Sequence, residues 1–264
     1  MVRPAAAVPL VILLFLSLII TAKPADAMRN YEFITAHRGS SGTAPENTIG
    51  AVLKAVKDGA GIAEIDVQLT ADGKVVLFHD ETLHKYGIPA KVSELTYERL
   101  AAVRIGGHRA AYRGERIPEL EEVIAAARDR IKLNIELKMY DPDSPLPEIV
   151  ASIVARERLF DQIFVTSFDL AAIERVMALN PQIKTGLIVR TAQEITDTVL
   201  QSGISVLSVK SKTVDPALAA KLKEAGIELH VWTVNSEAEM KRMLAMNVHS
   251  IITDYPHRLY RLLQ

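Results

Sequence analysis

The sequence predicts one α/β domain, a (β/α)₈ barrel with a β-hairpin or loop inserted after its second strand. Three observations carry that expectation. Short β-branched runs alternate with amphipathic helical patterns from residue 31 to the end, the signature of a mainly parallel sheet with helices outside it. No linker, internal repeat or low-complexity tract interrupts residues 28–264. The length also suits: removing a leader of 27 residues from 264 leaves 237, and such barrels run to about 250.

Strands are expected at 33–36 (FITA), 62–66 (IAEID), 75–79 (VVLFH), 132–137 (KLNIEL), 163–167 (IFVTS), 184–188 (KTGLI), 205–209 (SVLSV), 228–232 (ELHVW) and 250–252 (SII). That is one too many for the barrel, and chain length shows which is odd. The link from Asp66 to Val75 is too short for a parallel crossover, which needs a dozen or more residues. Run 75–79 should therefore fold back antiparallel onto 66–70 around Ala71-Asp72-Gly73. A two-residue turn at Asp72-Gly73 would set Ala71 opposite Lys74 and Asp66 opposite His79. Helices are expected at 48–59, 118–129, 146–158, 169–179, 191–201, 214–225 and 236–246, with start signals at Asp215-Pro216 and Asn235-Ser236. The stretch 84–117, broken by Gly87, Gly106, Gly107 and Gly114, shows no regular pattern.

Residues 1–27 are a different material. Arg3 precedes a nearly continuous apolar stretch at 5–22, and Ala25-Asp26-Ala27 supplies a small-x-small cleavage pattern. The expectation is a signal peptide removed before Met28, leaving a barrel domain at 28–264 that is secreted or periplasmic. The apolar stretch also reaches the lower edge of a membrane span, so the rival is an uncleaved anchor at 5–22 that keeps the domain beside the membrane, facing outward. The net charge of −1, with no basic stripe, excludes nucleic acid as an electrostatic partner. The absence of cysteine excludes disulfides, thiolate metal sites, cysteine nucleophiles and a lipidated cysteine.

Glu64 and Asp66 share a strand face because side chains alternate with period two. Two like charges there repel, and the usual remedy is a cation. On 132–138, Asn134, Glu136 and Lys138 share one face and Leu133, Ile135 and Leu137 the other. Glu136 falls at the end of its strand, where barrels do chemistry. Three carboxylates without sulfur suit a hard cation, Ca²⁺ or Mg²⁺; solvated acids at strand ends are the plainer alternative. His37 and Arg38 leave the first strand and His79 closes the hairpin, a set that suits phosphate chemistry beside the acids. Thr48 or Asn47 is expected to cap the helix at 49–59, with Glu46 just before it. His84, His108, His249 and His257 are read as surface or loop groups. His230 shares parity with Glu228 and Trp232, which places it inside the barrel as a structural hydrogen-bonder or behind the site. Trp232, at a strand's carboxyl end, is read as pocket lining or core.

These residues fall into an ordered set of motifs: AHRG at 36–39, PENT at 45–48, E-x-D at 64–66, T-x-DG at 70–73 and HD at 79–80. The set continues with IELK at 135–138, TSF at 166–168, VWTVN at 231–235 and IITDYP at 251–256. Together they resemble the glycerophosphodiester phosphodiesterases over roughly residues 33–263. The resemblance implies a (β/α)₈ barrel that hydrolyses glycerophosphodiesters to sn-glycerol 3-phosphate and an alcohol. It implies one divalent cation held by Glu64, Asp66 and Glu136, and His37 and His79 as the general acid–base pair. It further implies that Arg38 and Lys138 contact phosphate, that Glu46 lies near the metal as ligand or holder of a ligand, and that Phe168 and Trp232 shape the substrate pocket. Lysophospholipase D-like action on lysophospholipids is the alternative that shares this catalytic set. The chain departs from the family pattern at Thr82-Leu83-His84-Lys85-Tyr86-Gly87 and at Asn247-Val248-His249, which bears on loop shape and substrate preference.

Overall fold

Side chains alternate across a strand, and this chain uses the two faces for different purposes. In the computed structural model, which describes residues 32–107 and 110–264, Ala63, Ile65 and Val67 lie in one apolar core with Leu133, Ile135 and Leu137. Val52 and Ala55 of helix Ile49–Lys57 and Val150 and Val154 of helix Leu146–Glu157 close over that face. Burying each such side chain contributes roughly 1.5–3 kcal/mol. The opposite faces carry Glu64, Asp66, Asn134 and Glu136, all buried.

Eight parallel strands close into a ring: β1 (Ile34–Ala36), β2 (Ile62–Leu69), β4 (Lys132–Leu137), β5 (Ile163–Ser167), β6 (Lys184–Val189), β7 (Val206–Lys210), β8 (Glu228–Trp232) and β9 (Ser250–Thr253). Ring closure is made by β1 pairing with both β2 and β9. Inside, the middle layer is polar and satisfied: Thr35 and Ser250 share a 2.7 Å hydrogen bond, and Thr166 donates to Asn134 at 2.8 Å. Such pairing is what burial of hydroxyls requires. Ile62, Phe164 and Val206 plug the amino-terminal end. Gly186 is needed there, since a Cβ would lie 2.7 Å from Val206.

The ninth strand, β3 (Val75–Leu77), pairs antiparallel with the far end of β2, on the edge that short β1 leaves free. Its register corrects the sequence expectation by one residue. Val67 faces Leu77, Thr70 N–H donates to Lys74, and Phe78 N–H donates to Asp66 O, so Asp66 does not face His79. The cause is a three-residue loop, Ala71-Asp72-Gly73, closed by Gly73 at φ 77°. A left-handed glycine at the third loop position is the usual geometry for that length. His79 lies beyond the strand.

The stretch 84–117 also differs from the expectation. It holds short 3₁₀ turns at His84–Tyr86, Val92–Glu94 and Ala110–Tyr112 and a helix at Tyr97–Ala101. Val76, Phe78, Leu83, Leu95, Leu100 and Ile117 give it a separate small core. Leu83 and Leu100 are fully buried, so truncating either to Ala costs about 2–5 kcal/mol. The carboxy-terminal helix Pro256–Leu262 packs near β1 and was not expected. The leader at 1–27, its anchor alternative at 5–22, and His108 lie outside the described residues. No helix among the described residues is long and apolar enough to cross a membrane.

Candidate active site

The site is assembled by the turn that leaves β1. His37 N–H donates to Thr253 O at 2.9 Å, fixing it beside β9. Arg38 (φ 52°) and Gly39 (φ 73°) then turn left-handed. Gly39 is obligatory, because a Cβ would lie 2.6 Å from the backbone carbon of Ala51. Arg38 in that region costs roughly 1–3 kcal/mol, and the kink aims it three ways. Its backbone N–H donates to Glu64 Oε2 at 2.8 Å, Nη1 donates to Glu46 Oε2 at 2.8 Å, and Nε lies 3.4 Å from Asp66 Oδ2.

Thr48 caps the helix, its hydroxyl accepting from Ala51 N–H at 3.0 Å. Asn47, the other candidate for the cap, does something else. At φ 55° it grips Asp66 from both sides, donating Nδ2–H to Oδ2 at 2.8 Å and accepting the Asp66 N–H at 3.0 Å.

One oxygen each of Glu64, Asp66 and Glu136 lies within 4.8 Å of the others. Burial, then the charge of Asp66, pushes Glu64 up to about 8. The same two causes raise Glu136. Burial also works to raise Asp66, but Lys138 and Arg38 outweigh it and hold that carboxyl below its ordinary value. Lys138 donates to Glu136 Oε1 at 2.8 Å and lies 3.6 Å from Asp66 Oδ1. Glu64 Oε1 is buried with no hydrogen-bond partner among the described residues. An all-oxygen trio with one orphaned acceptor fits a hard divalent cation. Glu46 stands outside the trio. It binds Arg38 and, through Oε1, Lys85 at 2.6 Å, so it positions the arginine.

The two histidines are set alike. His37 Nδ1 meets Asp254 Oδ1 at 2.6 Å, and His79 Nδ1 meets Asp80 Oδ1 at 2.8 Å. Burial works to raise Asp254, but His37, Asn235 and Ser41 bring it down to about 2. An ionised carboxylate only accepts, so Nδ1 carries the proton and Nε2 is left for chemistry. Burial works to lower His37, but Asp254 and Glu64 outweigh it and raise it. Burial lowers His79, against Asp66 and Asp80. Asp254 is a residue to which sequence reasoning gave no role; its signals were an acid directly after the last strand and its place in the IITDYP motif.

His37, Arg38, Glu64, Asp66, His79, Glu136, Lys138, Phe168 and Trp232 all line one cavity of about 480 Å³. Glu46 does not line it, and neither does His230, which lies at the opposite end beside Phe164. Phe168 and Trp232 stand perpendicular with centroids 5.7 Å apart, and Trp232 Nε1–H donates to Ser208 O at 3.1 Å. Tyr140, Arg190 and Lys210 also line it and were given no role in the sequence reading.

Known proteins point the same way. The sequence profile of the Glycerophosphoryl diester phosphodiesterase family matches residues 37–258. The chain belongs to that family. It is an enzyme of the glycerophosphodiester phosphodiesterase class on a closed parallel eight-stranded barrel. A glycerophosphodiester phosphodiesterase of Caldanaerobacter subterraneus is 32% identical over 238 residues, covering 88% of this chain and 97% of its own. A human relative named lysophospholipase D is 27% identical, covering 85% of this chain and 83% of its own. Among solved structures, an Oleispira antarctica phosphodiesterase in complex with the product sn-glycerol-3-phosphate is 26% identical with TM-score 0.79, covering 90% of this chain and 98% of its own.

Proposed function

We propose that this glycerophosphodiester phosphodiesterase holds one divalent cation, Ca²⁺ or Mg²⁺, through Glu64, Asp66 and Glu136. It releases sn-glycerol 3-phosphate and an alcohol, with His37 and His79 as the general acid–base pair. The observation that carries this reading is the buried acid trio with its orphaned Glu64 oxygen. The cation, when bound, draws charge from the phosphodiester and lowers the repulsion that a nucleophile meets.

The chain's own groups supply the rest. Arg38 keeps a buried Nε without a hydrogen-bond partner among the described residues, and its fork of donors is matched to phosphate oxygens. Lys138 adds a point charge on the neighbouring wall. With Nδ1 of each histidine tied to an acid, one Nε2 takes a proton from the nucleophile and the other returns one to the departing alkoxide. Each transfer contributes about 10²–10⁴ in rate, and an imidazole titrates in the right range. The nucleophile is water or the neighbouring glycerol hydroxyl, the latter passing through a cyclic phosphate.

Dialysis against EDTA tests the cation: glycerol 3-phosphate release should vanish and return with Ca²⁺ or Mg²⁺. Activity that persists in chelator would contradict it. The aromatic Phe168–Trp232 wall and the human relative's name favour one second reading, action on lysophospholipids. Faster cleavage of lysophosphatidylcholine than of glycerophosphocholine would support that reading instead. The domain is further proposed to act outside the cytoplasm, and amino-terminal sequencing of the exported chain should begin at Met28; a retained Met1 would instead indicate the anchor.

A further inference from the structure

The rim of the barrel is divided. Strands β9, β1, β2, β3 and β4, with the turns that leave them, carry every group in the chemistry above, while β5 to β8 and their ends carry Phe168, Arg190, Lys210 and Trp232. In β6 and β7, Val189 pairs with Val209, so Arg190 and Lys210 are the next pair along. Lys210 in turn pairs with Trp232. Both cations line the cavity that holds the catalytic groups.

Both are exposed and neither is paired by contact with an acid, although the charge of Arg190 acts at longer range on Glu194. Arg38 is matched by Glu46, Lys138 by Glu136, and Lys85 by Glu46 and Asp80. Among the described residues, neither the Arg190 guanidinium nor the Lys210 ammonium makes an ion pair or hydrogen bond. The acid nearest in sequence, Glu194, is engaged by the backbone N–H groups of Arg190 and Thr191 at 3.1 and 2.8 Å and by the Thr191 hydroxyl at 2.9 Å. The Arg190 guanidinium lies 4.2 Å from the centroid of Phe168. It therefore occupies an aromatic face on which a quaternary ammonium would otherwise stack.

We propose that Arg190 and Lys210 form a subsite for a second negative charge on the alcohol half of the substrate. The preferred diester is then one whose alcohol bears a phosphate or a carboxylate. This rests on the phosphodiesterase reading and names the substrate class that the same pocket selects. The paired acids and the phosphodiester-binding cations hold one half of the cavity. The unpaired cations hold the other. Arginine supplies a planar fork for either oxyanion, and lysine an adjustable point charge.

The test compares kcat/KM for four diesters: glycerophosphoinositol 4-phosphate, glycerophosphoglycolate, glycerophosphoglycerol with its uncharged alcohol and glycerophosphocholine with its cationic one. The wild type should favour the two anionic alcohols over glycerophosphoglycerol by about tenfold, a preference that salt weakens. Phosphate and carboxylate arms separate the two sources of charge. Arg190→Gln combined with Lys210→Glu should invert the order and bring glycerophosphocholine above the anionic diesters, chiefly through KM. General damage to the fold would lower all four together and leave the ratio unmoved. A wild-type ratio of one or less, or a ratio unmoved by the substitutions, overturns the subsite alone. Release from none of the four diesters overturns the phosphodiesterase reading and the subsite with it.

Discussion

At the amino-terminal mouth of the barrel, Glu228 receives both oxygens' worth of contact from Lys184, at 2.7 Å each, and His230 Nε2 lies 3.4 Å away. At the carboxyl-terminal mouth, Glu64, Asp66 and Glu136 crowd together with one Glu64 oxygen unpartnered. The residue types are the same: acid, lysine, histidine and an aromatic ring. The titration runs in opposite directions. Glu228 is brought down to about 2, first by His230 and then by Lys184, against burial. Glu64 is pushed up to about 8 by burial and by its acid neighbour. A strand acid with its charge balanced is part of the scaffold. One left in want of a positive charge marks the place where something else is bound.

Breaking the functional mouth should give the largest effects. His37→Ala and His79→Ala should each lower kcat by about 10²–10⁴, read as glycerol 3-phosphate release, while cation content stays unchanged. Full activity in either variant would remove that histidine from the mechanism. Asp254→Asn comes next. It keeps the shape of the His37 contact but loses the charge that fixes its tautomer, so a fall of about 10–100-fold is expected. The loss should fall on kcat with KM little changed, as a positioning role requires.

Changes at the other mouth should be smaller and should spare activity. Glu228→Gln removes a charge whose side chain is 37% exposed, so solvent screening limits the loss to about 1 kcal/mol or less, read as a shift in urea midpoint. Its pH signature is specific. The folded value, about 2, lies below the ordinary 4.5. The contribution is therefore complete above pH 4.5 and is lost as pH falls from there toward 2. Stability of the Gln variant should fall less steeply over that window than stability of the wild type. Parallel curves would mean that Glu228 is not held by Lys184 and His230.

The barrel was legible in the sequence because each strand writes its two faces in different letters. Ile65 and Val67 against Glu64 and Asp66 identify a strand, its core side and its polar side together. The acid trio followed from the same parity, and the resemblance named its partners. What escaped were contacts set by distant backbone geometry. Asn47 carried a sufficient local role as a cap, and only its left-handed φ turns it onto Asp66. Asp254 reaches His37 across a separation of 217 positions, at the seam where the ring closes. The hairpin register depended on one loop residue, and Gly73 decided it. Arg190 directly follows β6 and Lys210 ends β7, strands whose ends lie in register, which a single strand's pattern does not reveal.

Glu64, Asp66 and Glu136 are proposed to crowd together because a divalent cation joins them. Calorimetric titration of Ca²⁺ or Mg²⁺ into chelator-treated protein tests it without reference to turnover. One site per chain is expected, abolished in Asp66→Asn and weakened about tenfold or more in Glu64→Gln. Heat absent from the wild type with both ions, or a binding curve that those substitutions leave unchanged, would contradict it.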